Sequence, residues 1–86
     1  MPIRYEGDLA RFDAACTVDE ALPFAEWLEA TVPARVDLSA CTELHTALLQ
    51  LLLVARPAVA ATAADPFLAR WVAPLLEAPP APPVSA

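Results

Sequence analysis

Residues 34–56 read ARVDLSACTELHTALLQLLLVAR, and the reading of this stretch decides the fold. Val36-Asp37-Leu38 alternates apolar and polar as a short strand does, which places a strand at 34–38. Ser39-Ala40-Cys41-Thr42 reads as a polar turn, with Ser39 and Thr42 bonding local backbone. From Leu44 to Ala55 apolar residues stand at nearly every position, and nothing from His45 to Arg56 breaks a helix before Pro57. A helix apolar on almost every side must be covered on almost every side, by its own chain or by a partner. The stretch therefore predicts a central helix over 44–55, entered from a strand through a tight polar corner.

Outward from this centre the chain alternates. Ile3-Arg4-Tyr5 has strand periodicity, Gly7-Asp8 is a turn, and Leu9 to Phe12 is either a returning strand or a lead into the next helix. Thr17-Val18-Asp19-Glu20 matches a capping box, in which the Thr and Glu side chains satisfy each other's free amides. Leu22, Phe24, Trp27, Leu28 and Val32 supply the apolar face of the helix that follows, and Glu26 and Glu29 face water. Pro23 either kinks that helix or marks its first position. Past the centre, Ala58 to Ala61 is a short strand. Asp65-Pro66 is a helix start with Asp as cap, followed by Phe67, Leu68, Trp71, Val72 and Leu75 at helical spacing until Pro74 frays it. Residues 77–86 end in APPAPPVSA, a proline-rich composition that predicts a disordered tail after a domain at 1–76.

Strands alternating with helices predict an α/β fold: a small, mostly parallel sheet of three or four strands with helices packed on one face. With 86 residues, one domain is the limit, and a 58% hydrophobic share allows it a core. A net charge of −6 and the absence of lysine argue against nucleic acid, whose phosphates demand a basic surface. MPIRYEGD has no apolar leader, and the Leu-rich run falls short of the roughly 20 residues that span a bilayer, so the expectation is a soluble cytoplasmic protein without membrane insertion. Cys16 and Cys41 lack metal or CxxC spacing and read as small buried side chains in a reducing compartment.

Residues 36–52, VDLSACTELHTALLQLL, resemble the central motif of STAS domains, the anti-sigma factor antagonist fold. There a strand ending in Asp-Leu-Ser leads through a short turn to an Asp-Ser-Ser/Thr-Gly-like start of a Leu-rich helix. The resemblance extends less specifically over 3–76, and the family's last elements are trimmed or missing. The family's phosphorylatable hydroxyl falls on Thr46, its preceding Asp on His45 and its Gly on Leu48, the last two being departures. The resemblance implies a cytoplasmic, ligand-free, bacterial-type protein-interaction domain. The partners it implies are an anti-sigma or histidine-kinase-like protein, or an ATPase-linked assembly.

Little else carries chemistry. His45 is the single histidine, so no histidine metal cluster or dyad can form, and a helix cap is its plainest use. Asp37 at a strand end is where open α/β sheets bind ligands, but one glycine and no lysine leave no phosphate cradle. The expected function is a regulatory protein–protein module with no enzyme activity and no cofactor. It docks through Ser39, Thr42, His45, Thr46, Leu48, Leu49 and Gln50, with Thr46 as the candidate phospho-acceptor. The alternative is a structural subunit that homodimerises through its exposed sheet or helix face.

Overall fold

A computed structural model describes residues 3–77. The elements are β1 (Ile3–Glu6), β2 (Leu9–Cys16), a 3₁₀ turn (Val18–Glu20), α1 (Ala21–Ala30), β3 (Arg35–Leu44), α2 (Thr46–Ala55), β4 (Ala58–Ala61), α3 (Pro66–Trp71) and α4 (Ala73–Glu77). The sheet runs β1-β2-β3-β4, with β1 antiparallel to β2 and the pairs β2–β3 and β3–β4 parallel. The α/β class and mostly parallel sheet are as the alternation of elements requires. Of the tail expected at 77–86, Glu77 ends α4, and residues 78–86 lie outside the described residues.

Leu9 to Phe12 is a returning strand, and it runs on to Cys16. The hairpin closes through Gly7 and Asp8, with Gly7 at φ 63°, a backbone region glycine enters without steric cost. The larger correction lies in the central stretch. Ser39 to Thr42 is no turn: β3 continues through it to Leu44, paired with β2 as far as Cys16. Asp37 explains how polar residues sit in a strand there. Its Oδ1 accepts from both the Ser39 amide (2.9 Å) and the Ser39 hydroxyl (2.7 Å). The pairing accommodates two register shifts, and Ala14 beside the second has φ 54°.

The capping box does not form. Thr17 makes no side-chain cap bond, and its carbonyl instead accepts the Glu20 amide (3.1 Å) to shape the 3₁₀ turn. Pro23 becomes the third residue of α1, inside the first turn where no intrahelical bond is lost. Leu22 and Val32 point to solvent, so the inner face of α1 rests on Phe24, Trp27 and Leu28. Val72, not Pro74, breaks the last helical stretch into α3 and α4.

Alternation along the strands gives the sheet two different faces. Ile3, Ala10, Phe12, Val36 and Leu38 point inward and are buried with Phe24, Leu48, Leu52 and Leu68 of the helices. Phe12 meets Phe24 edge-on at 5.1 Å, and Phe24, Trp27 and Tyr5 continue the aromatic chain from α1 back to β1. The opposite face is ionic: Arg4 pairs with Asp13, and Arg11 with Glu6 and Asp37. Arg35 reaches Asp8 at the hairpin turn. Such pairs lie at the surface and add little stability, but they make that face wettable without a cover.

Glu20 is buried with Oε2 lacking a partner, and the Tyr5 hydroxyl is likewise unpartnered. Glu20→Met is expected to raise unfolding free energy by about 1–3 kcal/mol. Phe24→Ala should lower it by about 3–5 kcal/mol. Urea titration of both variants checks the contrast.

Burial, then the Glu20 carboxylate and the Cys16 thiol, push the Tyr5 hydroxyl up to about 12. The unfolded chain releases that proton near pH 10. The folded state is favoured in full below that value, and the advantage is lost as pH rises toward the folded value. Tyr5→Phe is expected to flatten this alkaline limb, read as the urea midpoint against pH.

Candidate functional site

Where β2 and β3 end, the chain turns directly into α2. The His45 amide donates to the Cys16 carbonyl (3.0 Å), which ties the start of α2 to the end of β2. His45 is then the cap: its Nδ1 accepts from the Ala47 amide at 3.0 Å, so that nitrogen carries no proton in this arrangement. Its carbonyl accepts the Leu48 and Leu49 amides. Five polar side chains, those of Thr17, Thr42, Glu43, His45 and Thr46, line one wall of the opening above this corner.

The other wall is apolar. Asp65 caps α3, its Oδ2 accepting from the Phe67 (3.1 Å) and Leu68 (3.2 Å) amides, with Pro66 in the first turn. This places Leu68 and Val72 inward, while Phe67 (65% exposed), Trp71 (57%) and Leu75 (49%) stand outward four residues apart. Together with Leu44 and Leu49 these three border an open groove of about 600 Å³. The Arg56 Nη1 donates to the Leu75 carbonyl (2.9 Å), holding α4 to the end of α2. The Arg70 guanidinium lies 5.0 Å from the Trp71 ring centre, a cation–π contact that orients the indole.

The groove lies beyond the carboxyl ends of parallel strands, the usual binding edge of open α/β sheets. It gathers Thr42, His45, Thr46 and Leu49 of the expected docking residues. The rest go elsewhere. Ser39 is bonded to Asp37 on β3, Leu48 is wholly buried in the core, and Gln50 faces the shallow strip between α1 and α2. Asp37 sits mid-strand and is engaged by Ser39 and Arg11, with its carboxyl held below the ordinary range first by the Ser39 hydroxyl. Phe67, Trp71 and Leu75 were legible as helical periodicity, but periodicity alone does not say which of two adjacent apolar rows is covered.

Cys16 lines the groove and Cys41 is its neighbour, both buried and neither in a disulfide. The neighbouring Cys41 side chain and burial push the Cys16 thiol above the usual thiol range, which keeps it protonated and a poor nucleophile. Among the described residues no group of three His, Cys, Asp or Glu side chains is placed to hold a metal, and no helix is long and apolar enough to cross a membrane. The shape and lining of the groove suit apolar contact edged by hydroxyl and imidazole hydrogen bonds. Compared with known proteins, the chain matches no family model, no curated protein and no solved structure.

Removing the cap should loosen this corner before it unfolds the chain. His45→Ala is expected to cost about 1 kcal/mol, whereas His45→Asp should retain most of the stability because a carboxylate oxygen can accept from the Ala47 amide in place of Nδ1. Thermal unfolding of the two variants distinguishes them.

Proposed function

We propose that this protein is a STAS-like interaction module, docking onto a regulatory partner through the groove between the start of α2 and α3. The reading is supported by a Leu-rich helix entered directly from a central strand, in a small sheet with helices on one face. The observation that carries it is the exposed row Phe67, Trp71 and Leu75 facing His45, Thr46 and Leu49 across one groove. Large apolar side chains concentrated in one place on a small domain mark a contact surface. The partner is of the anti-sigma, histidine-kinase-like or ATPase-linked kind, in a cytoplasmic setting of bacterial type.

Thr46 is the natural control point. It is the first residue of α2, exposed, and on the groove wall. A phosphoryl group there gains from the helix dipole but sets a nearly double negative charge beside the apolar row. Docked apolar partners would be released. The polar, ion-paired sheet face offers little apolar area for pairing with a second copy, which favours the regulatory reading over a homodimeric structural subunit.

Affinity isolation of the partner with wild-type and variant chains tests this. Phe67→Asp and Thr46→Glu are expected to weaken capture of the same partner at least about tenfold, the cost of one lost hot-spot contact. Ser39→Asp, on the far face, should leave capture unchanged. Equal capture by a folded Phe67→Asp chain, checked by circular dichroism, would overturn the assignment of the surface.

A further inference from the structure

Cys16 and Cys41 are far apart in the chain and meet because the sheet is irregular. Val36 and Leu38 point inward, so strict alternation would send Ala40 inward and turn Cys41 out to the ionic face. Between the pairs Arg11–Asp37 and Asp13–Ala40, β3 uses one residue more than β2, and the sense reverses: Ala40 is exposed and Cys41 buried. On β2 the left-handed Ala14 is exposed where alternation from Ala10 and Phe12 would bury it, and Cys16, two residues on, returns to the core. Cys41 pairs with Ala14, so the two cysteines stand on adjacent strands in one buried cluster.

We infer that Cys16 and Cys41 form a site of reversible oxidation, a dithiol that closes to a disulfide when hydrogen peroxide enters through the groove. Cys16 lines the groove, whose volume of about 600 Å³ admits a molecule little larger than water. Each thiol donates to a backbone carbonyl, Cys16 to that of Asp13 (3.7 Å) and Cys41 to that of Glu43 (3.3 Å). Each side chain is also the strongest influence on the other: Cys16 holds the Cys41 thiol below the usual range, while Cys41 pushes the Cys16 thiol up. The pair therefore ionises first at Cys41, with Cys16 keeping its proton. The site does not depend on what docks in the groove.

The Cys41 thiolate attacks one peroxide oxygen, the O–O bond breaks, and the departing hydroxide takes up the proton that Cys41 released, leaving as water. Cys41 is then a sulfenic acid, and the anion that held the Cys16 proton is gone. The Cys16 sulfur attacks the Cys41 sulfur, the S–O bond breaks, and the sulfenic oxygen leaves with the Cys16 proton as a second water. The two sulfurs have together given two electrons to peroxide, and a thiol reductant returns them. The bridge ties the end of β2, where the Cys16 carbonyl receives the His45 amide, to β3.

The test treats the folded full chain with hydrogen peroxide, blocks remaining thiols with a maleimide in urea and weighs the product by mass spectrometry. Both thiols are expected to disappear together, with the mass falling by two hydrogen atoms per chain and dithiothreitol reversing the change. Trypsin should then release residues 12–35 joined to residues 36–70, since the Arg56–Pro57 bond resists it. In Cys16→Ser, which lacks the second thiol, Cys41 should stop at a sulfenic acid that dimedone captures. In Cys41→Ser, Cys16 should be oxidised at least about tenfold more slowly than Cys41 is in the wild-type chain. Circular dichroism checks that both variants fold, and the wild-type measurement stands without them. The inference is overturned by thiols that stay intact under peroxide that oxidises the urea-unfolded chain. Loss of one thiol without the other, a disulfide joining two chains, or added oxygen without a cross-link would overturn it equally.

Discussion

The hydrogen bond from the His45 amide to the Cys16 carbonyl fixes the place where sheet becomes helix, and most of the structure depends on that place. It requires β2 and β3 to stay paired to their ends, which they do through two register shifts. An unbroken ten-residue β3 carries the chain across the full width of the fold before α2 can begin. α2 then lies with Leu48 and Leu52 on the core and its first turn at the strand ends. In its first turn the Ala47 amide is capped by the His45 imidazole, and the Leu48 and Leu49 amides by the His45 carbonyl.

A four-stranded sheet with helices on one side has only one face to hide, and the chain solves the two faces by different means. The inner face uses the linked rings of Tyr5, Phe12, Phe24 and Trp27 with the leucines of α2, burying large area with few residues. The outer face uses charge, with Arg11 between Glu6 and Asp37 and Arg4 against Asp13. Placing the arginines there leaves the helical side acidic.

The core is not without conflict. The Glu20 carboxylate and the Tyr5 hydroxyl are both covered without a full set of partners, close enough for the one to raise the other's proton affinity. Tyr5 lies on β1 and Glu20 at the end of the 3₁₀ turn that leads into α1.

Short-range chemistry was readable directly. Gly7-Asp8 as a hairpin turn, Asp65-Pro66 as a helix start and Pro57 as the end of α2 each follow from one or two residues acting on their own backbone. The alternation of apolar residues likewise determined the α/β class and the inward set Val36, Leu38 and Phe24. What only the tertiary structure decided is everything that depends on a neighbouring strand or helix. Ser39 to Thr42 looks like a turn in isolation, yet pairing with β2 draws it into β3. Thr17 and Glu20 have the letters of a capping box, yet packing buries the Glu20 side chain instead of leaving it free to reach back. Leu48 and Leu49 are equivalent in the sequence, and one is sealed in the core while the other borders the groove. A row of apolar residues records that burial is favourable; which row is covered depends on the neighbours the fold supplies, and here Leu68 and Val72 are covered while Phe67, Trp71 and Leu75 are exposed.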